Sequence, residues 1–125
     1  MWFCTRNGLN LYNPKNETFK QFLPSKNNST TISHHLVHCI YEDRSNRIWI
    51  GTGDGLNQYN ENDESFIHYT LDQGLESTQN VHSITEDNSG NLWLGTNAKG
   101  LIRFNTSNKR SLYMPNPLQL NPNPI

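Results

Sequence analysis

The chain has 125 residues, enough for one domain, but only 33% are apolar and the mean hydropathy is -0.79, so its core must be thin. Ten basic and eleven acidic residues, with no long run of either sign, leave a formal net charge of -1. That balance argues against a nucleic-acid or membrane-surface partner, and no apolar stretch approaches the roughly 20 residues that cross a bilayer.

In chain order, "WFCT" and "GLNLYN" read as two strands around an Arg6-Asn7-Gly8 turn, and "FKQF" at 19–22 reads as a third. A polar connector, "SKNNSTTISHH" (25–35), leads to "LVHCIYE", "RIWIGT", "GLNQYN" and "FIHYT", with turns at Asp43 to Arg47 and at Asp54-Gly55. A second connector, "LDQGLESTQN" (71–80), leads to "VHSITE", "NLWLGT" and "GLIRFN", with turns at Asp87 to Asn91 and at Asn97 to Gly100. Glycine and asparagine fill these turns because tight hairpins need positive φ. No window carries an unbroken i, i+3, i+4 apolar stripe, which excludes helix.

The elements repeat. Trp2, Trp49 and Trp93 are 47 and 44 residues apart, each followed by a Gly-Leu pair and then by Tyr-Asn or Phe-Asn. "VHCIYED" at 37–43 returns as "VHSITED" at 81–87. Four antiparallel strands per about 45 residues describe the blade of a β-propeller. The tryptophan strands, Ile48-Trp49-Ile50 and Leu92-Trp93-Leu94, are apolar on both faces and so need cover on both sides. Gly51 and Gly95 let neighbouring sheets approach closely, and Cys4 stands at that position in the first unit.

With strands named A to D, the expected set is B, C and D at about 2–5, 9–13 and 19–23, a full blade at about 36–42, 47–52, 56–60 and 66–70, and another at about 80–86, 92–96, 101–105 and 110–114. The fold class is all-β, a partial propeller of a little under three four-stranded blades. The divisions are 1–24 (partial blade), 25–70 and 71–114 (full blades), and 115–125, a loose tail with prolines at 115, 117, 122 and 124. Cys4 and Cys39 show no metal-type spacing and read as buried free thiols, with one cystine as the alternative.

Propeller ligands are held where the B–C and D–A loops emerge. The candidates there are Arg6, Asp54, Asn97 and Lys99 from the turns and His34, His35, Gln79 and Asn80 from the connectors, side chains suited to the directional hydrogen bonding of sugars. His38 and His82 occupy equivalent inner-strand positions and could face one another across blades, but further converging ligands are missing, so no metal is expected. His34 and His35, if on a strand, would point to opposite faces. Asp43 and Asp87 recur at the A–B turn, where a carboxylate accepts backbone hydrogen bonds. Recurrence favours that structural role over catalysis, and no nucleophile motif or phosphate loop is present. No catalytic residue and no cofactor is expected.

The pattern V-x-x-I-x-E-D-x-x-G-N-L-W-L-G-T-x-x-x-G-L-x-x-F-N, nearly whole at 81–105 and again at 37–60 with Asn46-Arg47 in place of Gly90-Asn91, resembles the two-component regulator propeller repeat. WD-repeat and kelch patterns fit worse. The resemblance implies a periplasmic sensor region of hybrid two-component regulators, with an oligosaccharide ligand in the full-length protein and the kinase outside this chain. On this reading the chain is a fragment of a sensor. The competing readings are part of a carbohydrate-active propeller enzyme, such as a lyase, or a fragment without function of its own that self-associates. Uncapped terminal blades are expected to expose Trp2, Phe3 and Leu9 at one end and Leu94, Leu101 and Ile102 at the other. Those faces would pack against the remaining propeller blades or against further copies of the chain, three copies making roughly eight blades.

Overall fold

Short runs rich in β-branched and aromatic residues, punctuated by Asx and Gly turns, each form a strand in the computed structural model, which describes residues 1–69, 71, 80–97 and 100–114. The strands are β1 (Trp2–Thr5), β2 (Gly8–Asn13), β3 (Thr18–Phe22), β4 (Val37–Glu42), β5 (Ile48–Thr52), β6 (Gly55–Asn60), β7 (Ser65–Tyr69), β8 (Val81–Glu86), β9 (Asn91–Thr96), β10 (Leu101–Asn105) and β11 (Ser111–Met114). Every boundary lies within one residue of the sequence expectation. The proline-rich tail lies outside the described residues.

Three antiparallel meanders result: β1-β2-β3, β4-β5-β6-β7 and β8-β9-β10-β11. This is a partial propeller of three blades, the first without its inner strand among the described residues. Adjacent sheets stack face to face over two cores. Trp2, Cys4, Leu9 and Phe22 of the first sheet meet Val37, Ile50 and Phe66 of the second, with Ile32 of the connector buried among them. The other face of the second sheet brings Trp49 and Leu56 against Val81, Leu92, Leu94, Ile102 and Phe104 of the third. Trp2 and Trp49 face the following blade: the Trp2 ring meets Tyr59 edge-on at 5.0 Å, and the Trp49 ring meets Phe104 edge-on at 5.5 Å.

That arrangement explains why β5 is apolar on both faces. Trp49 points into one core and Ile50 into the other, and both are 0% exposed. Gly51 is required by the same packing, since a Cβ there would lie 2.6 Å from the Val81 carbonyl oxygen of the next sheet. Trp93 differs from the expectation. It faces away from the second sheet and is only half-buried, because among the described residues no further blade follows it.

The terminal faces need a second correction. Register places Leu9 opposite Cys4, and Leu94 opposite Ile102, all pointing into the cores, so Leu9, Leu94 and Ile102 are buried. The outward positions have the other parity. Phe3 and Phe19 are exposed on the first sheet, and Leu101 and Leu112 on the last. Trp2 packs on Tyr59 and is half-buried. The two cysteines are free, as read, but half-buried.

Candidate functional site

A four-stranded meander sends its B–C turn and its D–A connector to one end and its A–B and C–D turns to the other. The second end is structural. At the β4–β5 turn, Asp43 Oδ1 accepts the backbone N–H groups of Ser45 and Arg47, both at 2.9 Å. Its Oδ2 accepts Arg47 Nε at 2.7 Å and the Trp49 indole N–H at 2.8 Å. Asp87 repeats the pattern in the third sheet, accepting from the Ser89 and Asn91 backbone and from the Trp93 indole at 2.8 Å. The sequence signalled the backbone bonds but not the indole bond, although the spacing Asp-x5-Trp occurs twice. Asn46 and Gly90 hold the same turn position with φ of 64° and 82°, so asparagine can replace glycine there.

Burial pushes the Asp43 carboxyl up, but the bonds from Trp49, Arg47 and Ser45 outweigh it and hold it below the usual carboxylate range. For Asp87 the Asn91 backbone bond and then the Trp93 indole act the same way, and its carboxyl sits well below that range. Both are anionic turn braces, not proton donors.

The loop end carries the candidates. The connector into the second sheet is pinned by a buried polar network. Ser33 Oγ lies 2.8 Å from Thr52 Oγ1 and donates to the Asp54 carbonyl at 2.9 Å, while Asn57 donates to Ser33 Oγ and accepts its backbone N–H. Asn57 is fully buried where the equivalent Ile102 is apolar, a signal that the sequence reading missed. This network sets His34 and His35 over the β5–β6 turn. They lie in a loop, not on a strand, so the alternation expected of strand neighbours does not apply, and their rings stack at 4.5 Å. The His34 Nδ1 accepts the Leu36 backbone N–H at 3.0 Å. Burial first, then His35, lowers the pKa of His34.

His38 and His82 do face one another, with ring centroids 4.3 Å apart across the second and third sheets. Both occupy β-bulges: the register slips between Val37 and Cys39 and again between Val81 and Ser83. A bulge re-aims its extra side chain away from the strict alternation of the strand. His38 Nε2 lies 3.1 Å from Asn80 Oδ1, a contact between the second sheet and the connector into the third. Asp54 Oδ1 lies 3.9 Å from His68 Nε2. Arg6 is exposed in the β1–β2 turn, which is tied to the same loop where Gly8 donates its backbone N–H to the His35 carbonyl at 2.6 Å. Asn97 is exposed on the β9–β10 turn. Lys99 and Gln79 lie outside the described residues. No group of three or more His, Cys, Asp or Glu suited to a metal ion occurs among the described residues.

A cavity of about 430 Å³ opens at the other end, between the first two sheets, lined by Trp2, Glu42, Arg47, Gln58, Tyr59 and Glu61. In the second interface the neighbouring space is occupied: Arg44 pairs with Glu86 at 3.4 Å, and Lys109 lies 5.8 Å over the Trp49 ring. The cavity shares no residue with the histidine end.

Against known proteins, the model of the two component regulator propeller matches residues 31–54 and 74–98. No curated protein matches the chain in sequence. Among solved structures, the fold is similar to the extracellular domain of BT4673 from B. thetaiotaomicron, named as a one component system. The TM-score is 0.77 at 24% identity, over 90% of this chain and 15% of that one. It is similar also to the extracellular domain of BT3049 from B. thetaiotaomicron, named as a hybrid two component system. Here the TM-score is 0.79 at 20% identity, over 90% of this chain and 16% of that one. The chain thus spans under a fifth of the length of these structures. The two segments similar to that family's model carry the Asp-braced tryptophans and the bulged inner strands of the second and third sheets.

Proposed function

We propose that the chain contributes blades to a periplasmic sensor propeller that binds an oligosaccharide, the kinase or other output lying outside this chain. The observation that carries the reading is the convergence, at the loop end, of His34, His35, His38, Asp54 and Asn80 from two adjacent sheets and their connectors. These are mixed donors and acceptors, and a polyhydroxylated ligand is recognised by many directional hydrogen bonds. The neighbours' extracellular placement supports a compartment outside the cytoplasm. The role is binding rather than catalysis, since the carboxylates that repeat, Asp43 and Asp87, are spent on turns and indoles at the opposite end.

Saturation-transfer NMR on the isolated chain tests this with a panel of neutral and acidic oligosaccharides at millimolar concentration. Three blades supply only part of an axial site, so the expected affinity is weaker than micromolar. Saturation transfer to a saccharide, lost in Asp54→Ala with Asn80→Ala, is the expected result. No transfer to any saccharide from a folded chain contradicts the reading.

A further inference from the structure

We propose that the cleft between the first two sheets is a receptor for an arginine-bearing peptide turn, its guanidinium held by Glu42 and Glu61 and laid on the Trp2 ring. The inference is independent of the saccharide reading, which concerns the opposite end.

The second interface shows what such a cleft takes. Arg44, on the β4–β5 turn, reaches across to the third sheet, where its backbone N–H donates to Glu86 Oε1 at 3.1 Å and its Nε pairs with the same oxygen at 3.4 Å. Its guanidinium also donates to the Asp87 carbonyl and to Asn88. From the β10–β11 turn comes Lys109, whose ammonium lies 5.8 Å over the Trp49 ring and 5.9 Å over Tyr69. One cation of this chain thus meets a carboxylate there, and another meets an aromatic face.

The first interface has the same receiving groups without those cations. Glu42 is the counterpart of Glu86, since each pairs with the first apolar residue of its tryptophan strand, Ile48 or Leu92. The Glu86 side chain is 7% exposed beneath Arg44, whereas Glu42 is exposed. Trp2 and Tyr59 meet edge-on as Trp49 and Phe104 do, but among the described residues no cation lies over the Trp2 ring. The β6–β7 turn also reverses the charge: residues 106–109 read Thr-Ser-Asn-Lys where 61–64 read Glu-Asn-Asp-Glu. Glu64 is taken by Lys20, while no ion pair among the described residues takes up Glu42 or Glu61. Both of these carboxylates line the cleft with Trp2 and Tyr59. Burial first, then the charges of Glu61 and Asp63, raise the pKa of Tyr59, as expected of a wall that favours a cation. Arg47 lines the cleft too, but its guanidinium is held by Asp43, and Arg44 is turned onto the third sheet.

A planar guanidinium pairs with carboxylates and stacks on an aromatic ring at once, which a neutral side chain does not. The indole N–H of Trp49 and that of Trp93 each donate to a turn aspartate, and Trp2 makes no such bond among the described residues. An aspartate directly before the arginine, as Asp43 precedes Arg44, supplies that acceptor. The turn of the third sheet, Asp87-Asn88, lacks the arginine, so a second copy offering that turn does not meet the requirement.

The test titrates the chain with acetyl-Asp-Arg-Ser-Asn-amide, with the same peptide carrying glutamine for arginine, and with acetyl-Asp-Asn-Ser-Gly-amide. The Trp2 indole and Tyr59 ring resonances are followed by NMR. The arginine peptide should shift both rings, and the two arginine-free peptides should not. Glu42→Gln with Glu61→Gln should weaken binding about tenfold, the loss expected for two exposed ion pairs. Glu64→Gln leaves both cleft carboxylates in place and should bind as the parent does. Equal shifts from an arginine-free peptide overturn the proposal, as does undiminished binding in the double variant. So does the absence of any shift in the folded chain, and each of these results leaves the saccharide reading standing.

Discussion

Replacing Asp43 with alanine isolates the brace at the structural end. Asp43 is 3% exposed and Trp49 fully buried, so water cannot replace the lost carboxylate at the indole N–H. The change strands that N–H, the Ser45 and Arg47 backbone N–H groups and the Arg47 guanidinium. Hydrogen bonds to a charged group contribute about 1.5–3 kcal/mol each, and removing one partner of a buried pair costs about 3–5 kcal/mol. We expect about 3–5 kcal/mol for Asp43→Ala, a large part of the roughly 5–15 kcal/mol that holds a domain together. Urea unfolding at pH 7, followed by far-UV circular dichroism, measures it beside Asp87→Ala. Asp87 makes the same backbone and indole bonds, with the neutral Asn91 amide in place of the Arg47 guanidinium, around a half-buried indole, so its loss should lower the urea midpoint less. An Asp43→Ala midpoint equal to that of the parent refutes the reasoning. So does an Asp87→Ala loss as large as that of Asp43→Ala, because cover by the following sheet would then not be what makes the brace matter.

The tryptophans should rank by cover: Trp49→Ala costs about 3–5 kcal/mol in the same assay and Trp93→Ala about 1–2 kcal/mol, and equal losses would contradict the sheet order. Gly51→Ala drives a Cβ to 2.6 Å from backbone of the next sheet and should cost about 1–3 kcal/mol. Gly95→Ala meets only the Ser83 hydroxyl and should be the milder of the two by thermal melt; the reverse order would place the close approach wrongly. Folding depresses both Asp43 and Asp87, so their stabilisation is complete above about pH 4 and is lost as pH falls through their folded values. The thermal midpoint should hold between pH 7 and 5 and fall below pH 4, and a loss already complete between pH 6 and 5 would lie outside the window of two depressed carboxyls and contradict this account. With Phe3 at 44%, Leu101 at 42% and Leu112 at 45% exposure on the terminal sheets, light scattering at micromolar concentration should show concentration-dependent association. A stable monomer would argue against it.

The strands were legible because a two-residue period and Asx-Gly turns leave little freedom, and because three copies of one unit check each other. Burial of Trp49 was legible for the same reason: only a strand covered on both faces reads Ile-Trp-Ile-Gly. What failed was parity. Assigning Leu9, Leu94 and Ile102 to the outer faces required knowing which neighbour each alternate residue meets, and the pairs Cys4 with Leu9 and Leu94 with Ile102 supply that only in three dimensions. The loop end was partly legible. Its composition pointed to the connectors, but the bulges that re-aim His38 and His82 break the period used to read the strands. The stacking of His34 on His35 follows a Ser33 held by Thr52 and Asn57, which lie 19 and 24 residues further along the chain. The C–D turns also passed unread. Glu17, Glu64 and Lys109 adopt φ of 57° to 62° at equivalent positions, each just after an Asn or Asp.

Whether the sheets stack as successive blades is the claim on which the rest depends, and a nuclear Overhauser spectrum of the Trp49 indole tests it most directly. Trp49 and Phe104 are 55 residues apart in sequence and on different sheets, with ring centroids 5.5 Å apart. Blade stacking predicts cross-peaks from the Trp49 ring to Phe104 as well as to Tyr69 of its own sheet. Cross-peaks confined to residues of the second sheet would contradict it.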